Sequence, residues 1–183
     1  MRKLVYSMIV SADGYVADAQ GGIGWHVVDE QLHEYFNDRD AAFDTAIYGR
    51  RMYELMRYWD KVPDSEPDWV KAYAPAWQSK QKLVFSRTLS SVGPNATLMS
   101  EELLEAVGKI RAGDGGPIDV AGPTIAAPLI AAGMIDEFGL YVTPVALGGG
   151  LSFWPKGQMP IGLKFLDAMR FASGVVELTY ARG

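Results

Sequence analysis

The chain has 183 residues, 49% of them hydrophobic, and a net charge of −5, which suits one well-buried domain and is short for two. The acidic balance argues against general binding to nucleic acid or to an anionic membrane, yet it tolerates a local basic site for one phosphorylated ligand. With no Cys and only two His, disulfides, thiolate zinc sites and a Cys nucleophile are excluded, and no metal centre is expected.

Residues 3–10 run apolar and stop at Ser11-Ala12-Asp13-Gly14, which predicts a first strand and a turn. The basic start superficially looks like a secretion signal. Its apolar part is short, however, and Asp13-Gly14 falls where such a segment would still be apolar. No stretch is long enough to span a bilayer, so a cytoplasmic location is expected. Asp18 to Gly24 is glycine-rich and predicts a mobile loop. Asp29 can cap a helix through about residue 41, with Leu32, Tyr35 and Phe36 on one face. Thr45 to Tyr48 is a short buried strand, and Gly49 opens a helix through Met56. Residues 60–68 read as a surface excursion, and Trp69 to Tyr73 as a helical turn ended by Pro75.

Lys82 to Phe85 and Ala96 to Met99 are strand-like, and Ser100 then caps a helix with Leu103, Leu104, Val107 and Ile110 inward. Pro117 to Ala121 is another strand, followed by a helix from Pro123, a residue suited to a first turn. Phe138 to Ala146 is long and apolar. Leu163 to Phe171 and Val175 to Ala181 form a closing hairpin about Ala172-Ser173-Gly174. Strands alternating with helices predict an α/β fold with a mostly parallel sheet and an antiparallel end. No repeat or linker interrupts it, so residues 1–183 read as one domain.

In open α/β sheets ligands sit beyond the carboxyl ends of the strands. Asp13, Gly49, Ser86-Arg87 and Gly122 each fall at such an end. Gly49-Arg50-Arg51 sets two guanidinium groups at a helix start, suited to phosphate, or else simply solvated. Ser86-Arg87 offers a hydroxyl and a cation, or a capped turn. Gly122 lets backbone approach a ligand closely, and Thr124 adds a hydroxyl, whereas Pro123 brings no N–H. Asp13 is either a turn former or a substrate contact and proton relay, and Asp29 either a helix cap or an acid near the substrate. Trp25, His26, Tyr53, Trp59, Phe153 and Trp154 either wall a pocket for a flat ring or fill the core.

The stretch AGPTIAAPLIAAGMIDEFGLYVTPVALGGGLSFW, from Ala121 to Trp154, follows three shorter blocks: Ser7 to Ala17, Tyr48 to Glu54 and Lys82 to Arg87. Together they resemble the reductase domain shared by bacterial riboflavin-biosynthesis deaminase-reductases and dihydrofolate reductase-like proteins. The resemblance covers nearly the whole chain. It implies a three-layer dihydrofolate reductase-like fold, NADPH as cofactor and often a homodimer. It further implies hydride transfer to a pteridine- or pyrimidine-like heterocycle, or to a ribosylamino-pyrimidine. The implied cofactor-binding positions are Val16, Gly49, Arg50, Arg51, Ser86, Arg87, Ala121, Gly122, Pro123 and Thr124. Those near the substrate are Trp25, Tyr53 and Thr143, with Asp13 and Asp29 as candidate catalytic acids.

Two positions depart from the family pattern. Met52 stands where Thr often follows the basic pair, and Ala121 replaces the first glycine of a Gly-Gly pair. The zinc ligands of the deaminase half are lacking. A phosphorylated substrate would need its own grip, for which Arg57 and Lys61 are candidates. The alternative is a non-catalytic nucleotide-binding or sensory module on the same fold.

Overall fold

The computed structural model describes residues 1–157 and 160–183. Strand β1 (Leu4–Ser11) leads through β2 (Tyr15–Ala17) into α1 (Glu30–Ala41), β3 (Thr45–Gly49) and α2 (Arg50–Met56). The short helices α3 (Asp68–Lys71) and α4 (Ala74–Ser79) precede β4 (Gln81–Phe85), β5 (Ala96–Met99), α5 (Leu103–Ala112), β6 (Ile118–Ala121) and α6 (Pro123–Ala131). The chain closes with β7 (Glu137–Thr143), β8 (Leu151–Ser152), β9 (Leu163–Arg170) and β10 (Val176–Arg182). Eight strands form one sheet in the order β5-β4-β3-β6-β1-β7-β10-β9, and β2 pairs separately with β8. All pairings from β5 to β7 are parallel, while β10 runs antiparallel to both β7 and β9. This is the mostly parallel α/β sheet with an antiparallel end expected from the alternation of strands and helices.

Alternation along the strands divides the core. Leu4 and Tyr6 of β1, Ile47 of β3, Ile118 and Val120 of β6 and Phe138 of β7 join Val107 of α5 and Leu129 of α6 in one large cluster. The opposite face carries two smaller clusters. One gathers Tyr48, Tyr53, Trp77 and Val84 around α2 and α4. The other gathers Leu32, Tyr141, Phe171 and Val175 around α1.

Several boundaries differ from expectation for local reasons. Pro75 does not end a helical turn but sits in the first turn of α4, where its missing N–H costs nothing. The residue before α5 is Glu102 rather than Ser100, and Leu104 is exposed. β7 stops at Thr143, before Pro144. Asp18 organises the glycine-rich loop by accepting from the amides of Gln20 (2.9 Å) and Gly22 (2.7 Å).

Candidate active site

Between the two smaller clusters, under α1 and α2, lies a cavity of about 390 Å³. Phe36, Trp59, Tyr73, Met52 and Met56 give it aromatic and thioether walls, and Ser7, Arg39, Asp119 and Tyr141 bring polar atoms to it. Asp119 is there because of β6. Ile118 and Val120 face the large core, so Asp119 and Ala121 must face the other way. Burial pushes the Asp119 carboxyl up to about 6. Lys80 and Arg39 oppose that rise, and the neighbouring Asp40 adds to it.

The other charges are committed. Arg39 donates to the Ser7 hydroxyl at 2.6 Å and lies 4.0 Å from Glu177. Gly139 makes this possible, because a Cβ there would stand 2.5 Å from Ser7 Oγ. Glu177 accepts from Tyr35 at 2.7 Å, and Asp40 pairs with the buried Lys80 at 2.5 Å. The Tyr141 hydroxyl is buried without a partner among the described residues. Burial drives its pKa far up, so it is a neutral donor or acceptor.

At the carboxyl ends of β3 and β6, which pair through Tyr48 and Ala121, two helices begin side by side. Gly122 caps α6 with φ +104°, and a Cβ on it would lie 3.3 Å from the Cβ of Met52. Gly49 approaches Ile125 in the same way, at 3.7 Å. The guanidinium pair and the glycine therefore share one edge of the molecule. Arg50 lies 3.9 Å from Glu54, while Arg51 and Arg87 are exposed and have no ion pair among the described residues. Ser86 Oγ accepts from the amides of Thr88 (3.2 Å) and Leu89 (3.1 Å) just past β4 and lies 3.4 Å from the Thr88 hydroxyl. Pro123 and Thr124 open α6, with Thr124 exposed. Tyr48, Met52 and Ala121 line the cavity, so its wall is continuous with this edge.

Other expected positions have structural work. Asp13 accepts from the Ser11 hydroxyl (2.7 Å) and from the amides of Leu147 (3.0 Å) and Gly148 (2.7 Å), which bring it down to about 2. Its carboxylate holds the loop after β7. Asp29 caps α1, accepting from Leu32 N at 2.9 Å. Neither carboxyl lines the cavity. Val16 packs in the large cluster beside Phe153. Tyr53 is buried against Trp77, and its hydroxyl accepts from Gly93 N at 2.7 Å. Trp25 donates to Gly22 O at 3.2 Å, and its neighbour His26 reaches the cavity. Thr143 is buried beside Ser11, with its hydroxyl unpartnered among the described residues. Phe153 stacks on Tyr6 at 4.3 Å, and Trp154 packs on Phe138. Of the expected aromatics, only Trp59 and His26 wall the cavity. Arg57 and Lys61 do not reach it.

Asp119, Arg39, Ser7 and Tyr141 were not expected from the sequence. One signal did exist for Asp119: a carboxylate inside a run of Ile, Val and Ala that reads as a buried strand demands an explanation. Among the described residues no group of His, Cys, Asp and Glu could hold a metal ion, and no helix is long and apolar enough to cross a membrane.

Residues 2–177 match the RibD C-terminal domain model. The chain belongs to that family. A Bacillus subtilis relative, the uncharacterized protein YyaP, is 31% identical over 181 residues, spanning 98% of this chain and 94% of its own. Among solved structures, a putative riboflavin biosynthesis protein from Shewanella sp. PV-4 superposes with a TM-score of 0.76 at 18% identity, covering 99% of both chains. Dihydrofolate reductase from Enterococcus faecalis, complexed with NADP(H), gives a TM-score of 0.64 at 14% identity, covering 99% of this chain and 96% of its own. At those identities the likeness is one of fold.

Proposed function

We propose that this chain is an NADPH-dependent reductase acting by hydride transfer on a flat heterocycle of pteridine or pyrimidine type. One observation carries the reading. A basic strand edge suited to phosphates and a ring-sized aromatic cavity share the residues Tyr48, Met52 and Ala121. The residues at that edge fit a phosphorylated dinucleotide. Gly122 holds a positive φ that lets the backbone turn there, α6 begins with amides that lack intrahelical partners, and Arg51 and Arg87 make no ion pair among the described residues. Arg50 and Arg51 would meet the pyrophosphate, and Ser86-Arg87 the phosphate that distinguishes NADPH from NADH. Bound NADPH supplies the hydride. The chain's part is to hold two flat rings face to face away from water, for which the cavity walls are suited.

Fluorescence titration tests this reading. NADPH is expected to bind more tightly than NADH, and Arg51→Ala or Arg87→Ala to weaken NADPH at least about tenfold, or roughly 1.4 kcal/mol. Failure of wild type to bind either dinucleotide would end the reading. Binding without oxidation of NADPH against a panel of heterocycles would favour the sensory module instead.

We also propose a homodimer built on β9. Each of its residues is exposed, including Leu163, Phe165, Leu166 and Met169, and it forms the open edge of the sheet. Strand β7 offers less free surface, because Tyr141 and Thr143 are buried.

A further inference from the structure

Arg39 is balanced in charge but not in hydrogen bonds. Its guanidinium comes down from the last turn of α1 onto the sheet where Ser7 of β1 pairs with Gly139 of β7. A Cβ at position 139 would stand 2.5 Å from Ser7 Oγ and 3.5 Å from Arg39 Nη2, so the missing side chain is what admits the arginine. From β10, Glu177 lies 4.0 Å away and is itself held by the Tyr35 hydroxyl at 2.7 Å. The guanidinium carbon stands 5.6 Å from the ring centres of both Phe43 and Tyr141, which cover its flat surface. These contacts fix the group in place and leave its edge open. A guanidinium carries five N–H donors. One goes to Ser7 at 2.6 Å. No other hydrogen bond from this group is found among the described residues, because Glu177 at 4.0 Å is too far for one. Its remaining nitrogens are not sealed inside protein.

Arg39 is also the one Lys or Arg among the residues lining the cavity. Unspent donors on a fixed, mostly buried cation favour a ligand that brings acceptors to them, and the surroundings decide which kind. Asp40 follows Arg39 in α1, Glu177 approaches from β10, and Asp119 lines the same cavity from β6. A phosphate dianion at the guanidinium edge would meet these carboxyl groups. A carbonyl oxygen accepts from the same N–H groups without that repulsion, and a planar fork suits a planar partner.

We propose that Arg39 determines specificity in this cavity, its free guanidinium edge selecting ligands that present a carbonyl oxygen on a flat ring, with Gly139 as its positioning residue. The inference rests on the reductase reading only in calling that ligand a substrate. The selection itself needs the cavity alone. Phe36 meets Tyr141 edge-on at 4.7 Å on the same wall, so the carbonyl is received where competing water is largely displaced by rings and each hydrogen bond counts for more.

Two fluorescent bicycles of one shape provide the test: lumazine, a pteridine with two carbonyl groups, and diaminopteridine, with amines in their place. Each is titrated into wild type, Arg39→Gln, Arg39→Lys and Gly139→Ala, with circular dichroism to verify the fold of each variant. NADPH is titrated separately into all four. Wild type is expected to bind lumazine more tightly than diaminopteridine. Arg39→Gln should weaken lumazine at least about tenfold, the scale of one charge-assisted hydrogen bond, and diaminopteridine by less than about threefold. Arg39→Lys keeps the charge without the fork and should recover only part of the loss. Gly139→Ala keeps the arginine but displaces it, and should weaken lumazine in the same selective way. NADPH should bind all four alike. Equal weakening of both bicycles in Arg39→Gln overturns the proposal, because Arg39 would then serve only the shape of the cavity. Wild type that prefers diaminopteridine, or an Arg39→Gln variant that binds lumazine unchanged, overturns it too, without touching the reductase reading. Selection of lumazine through Arg39 by a protein that binds no NADPH would uphold the specificity assignment and end the reductase reading.

Discussion

Asp13 receives one hydroxyl and two backbone amides, and its folded-state pKa falls to about 2 from 3.8. A depressed carboxyl stabilises the fold above its unfolded pKa and stops doing so as pH falls through the folded one. The stability difference between wild type and Asp13→Asn is therefore expected to be full near neutrality and to shrink between about pH 4 and pH 2, as read from urea midpoints. Asp119 has the opposite sign. Its pKa is raised from 3.8 to about 6, so ionisation above that range works against the fold. Relative to Asp119→Asn, wild type should lose stability as pH rises from about 4 through 6, and denaturation at several pH values would show it. Gly122→Ala must adopt φ +104° and press on Met52, which should cost about 1–3 kcal/mol and weaken NADPH. Gly122 was legible in the sequence because a strand meeting a helix on glycine has a local signature. Asp119 was not, because its importance comes from Lys80, Asp40 and Arg39, which are distant along the chain.

Helix α1 was legible almost to the residue, since capping is a local contact: Asp29 reaches Leu32 N three residues on. Asp29→Ala should cost about 1 kcal/mol by thermal or urea unfolding. It should also loosen ligand binding indirectly, since α1 carries His33, Phe36, Arg39 and Asp40 along the cavity. The same locality explains what was missed. The β2–β8 pair joins residues 15–17 to 151–152, and nothing in three residues and two announces such a partner. Helix α4 hides behind Pro75, a breaker in most contexts and harmless in a first turn. Among the aromatics, a core Phe153 and a cavity-lining Trp59 look alike in sequence, and the face each occupies is decided only by the folded sheet.

Across the molecule, the sheet is buried at its centre and open at β9. If two copies pair there, Phe165→Glu should shift the protein from dimer to monomer in light scattering while leaving NADPH binding intact. A wild-type monomer at micromolar concentration would contradict the homodimer. The two faces of the sheet are also unequally fastened. Helix α6 buries Ile125, Ala126, Leu129 and Ile130, whereas α1 buries only Leu32 and His33 and leans on polar contacts around a hollow. Its amides should exchange with deuterated solvent sooner than those of α6, through openings that leave the remainder folded. A molecule seated between α1 and the sheet would slow that exchange selectively, so the isotope pattern along residues 30–41 offers a way to screen for the natural ligand before any turnover is measured.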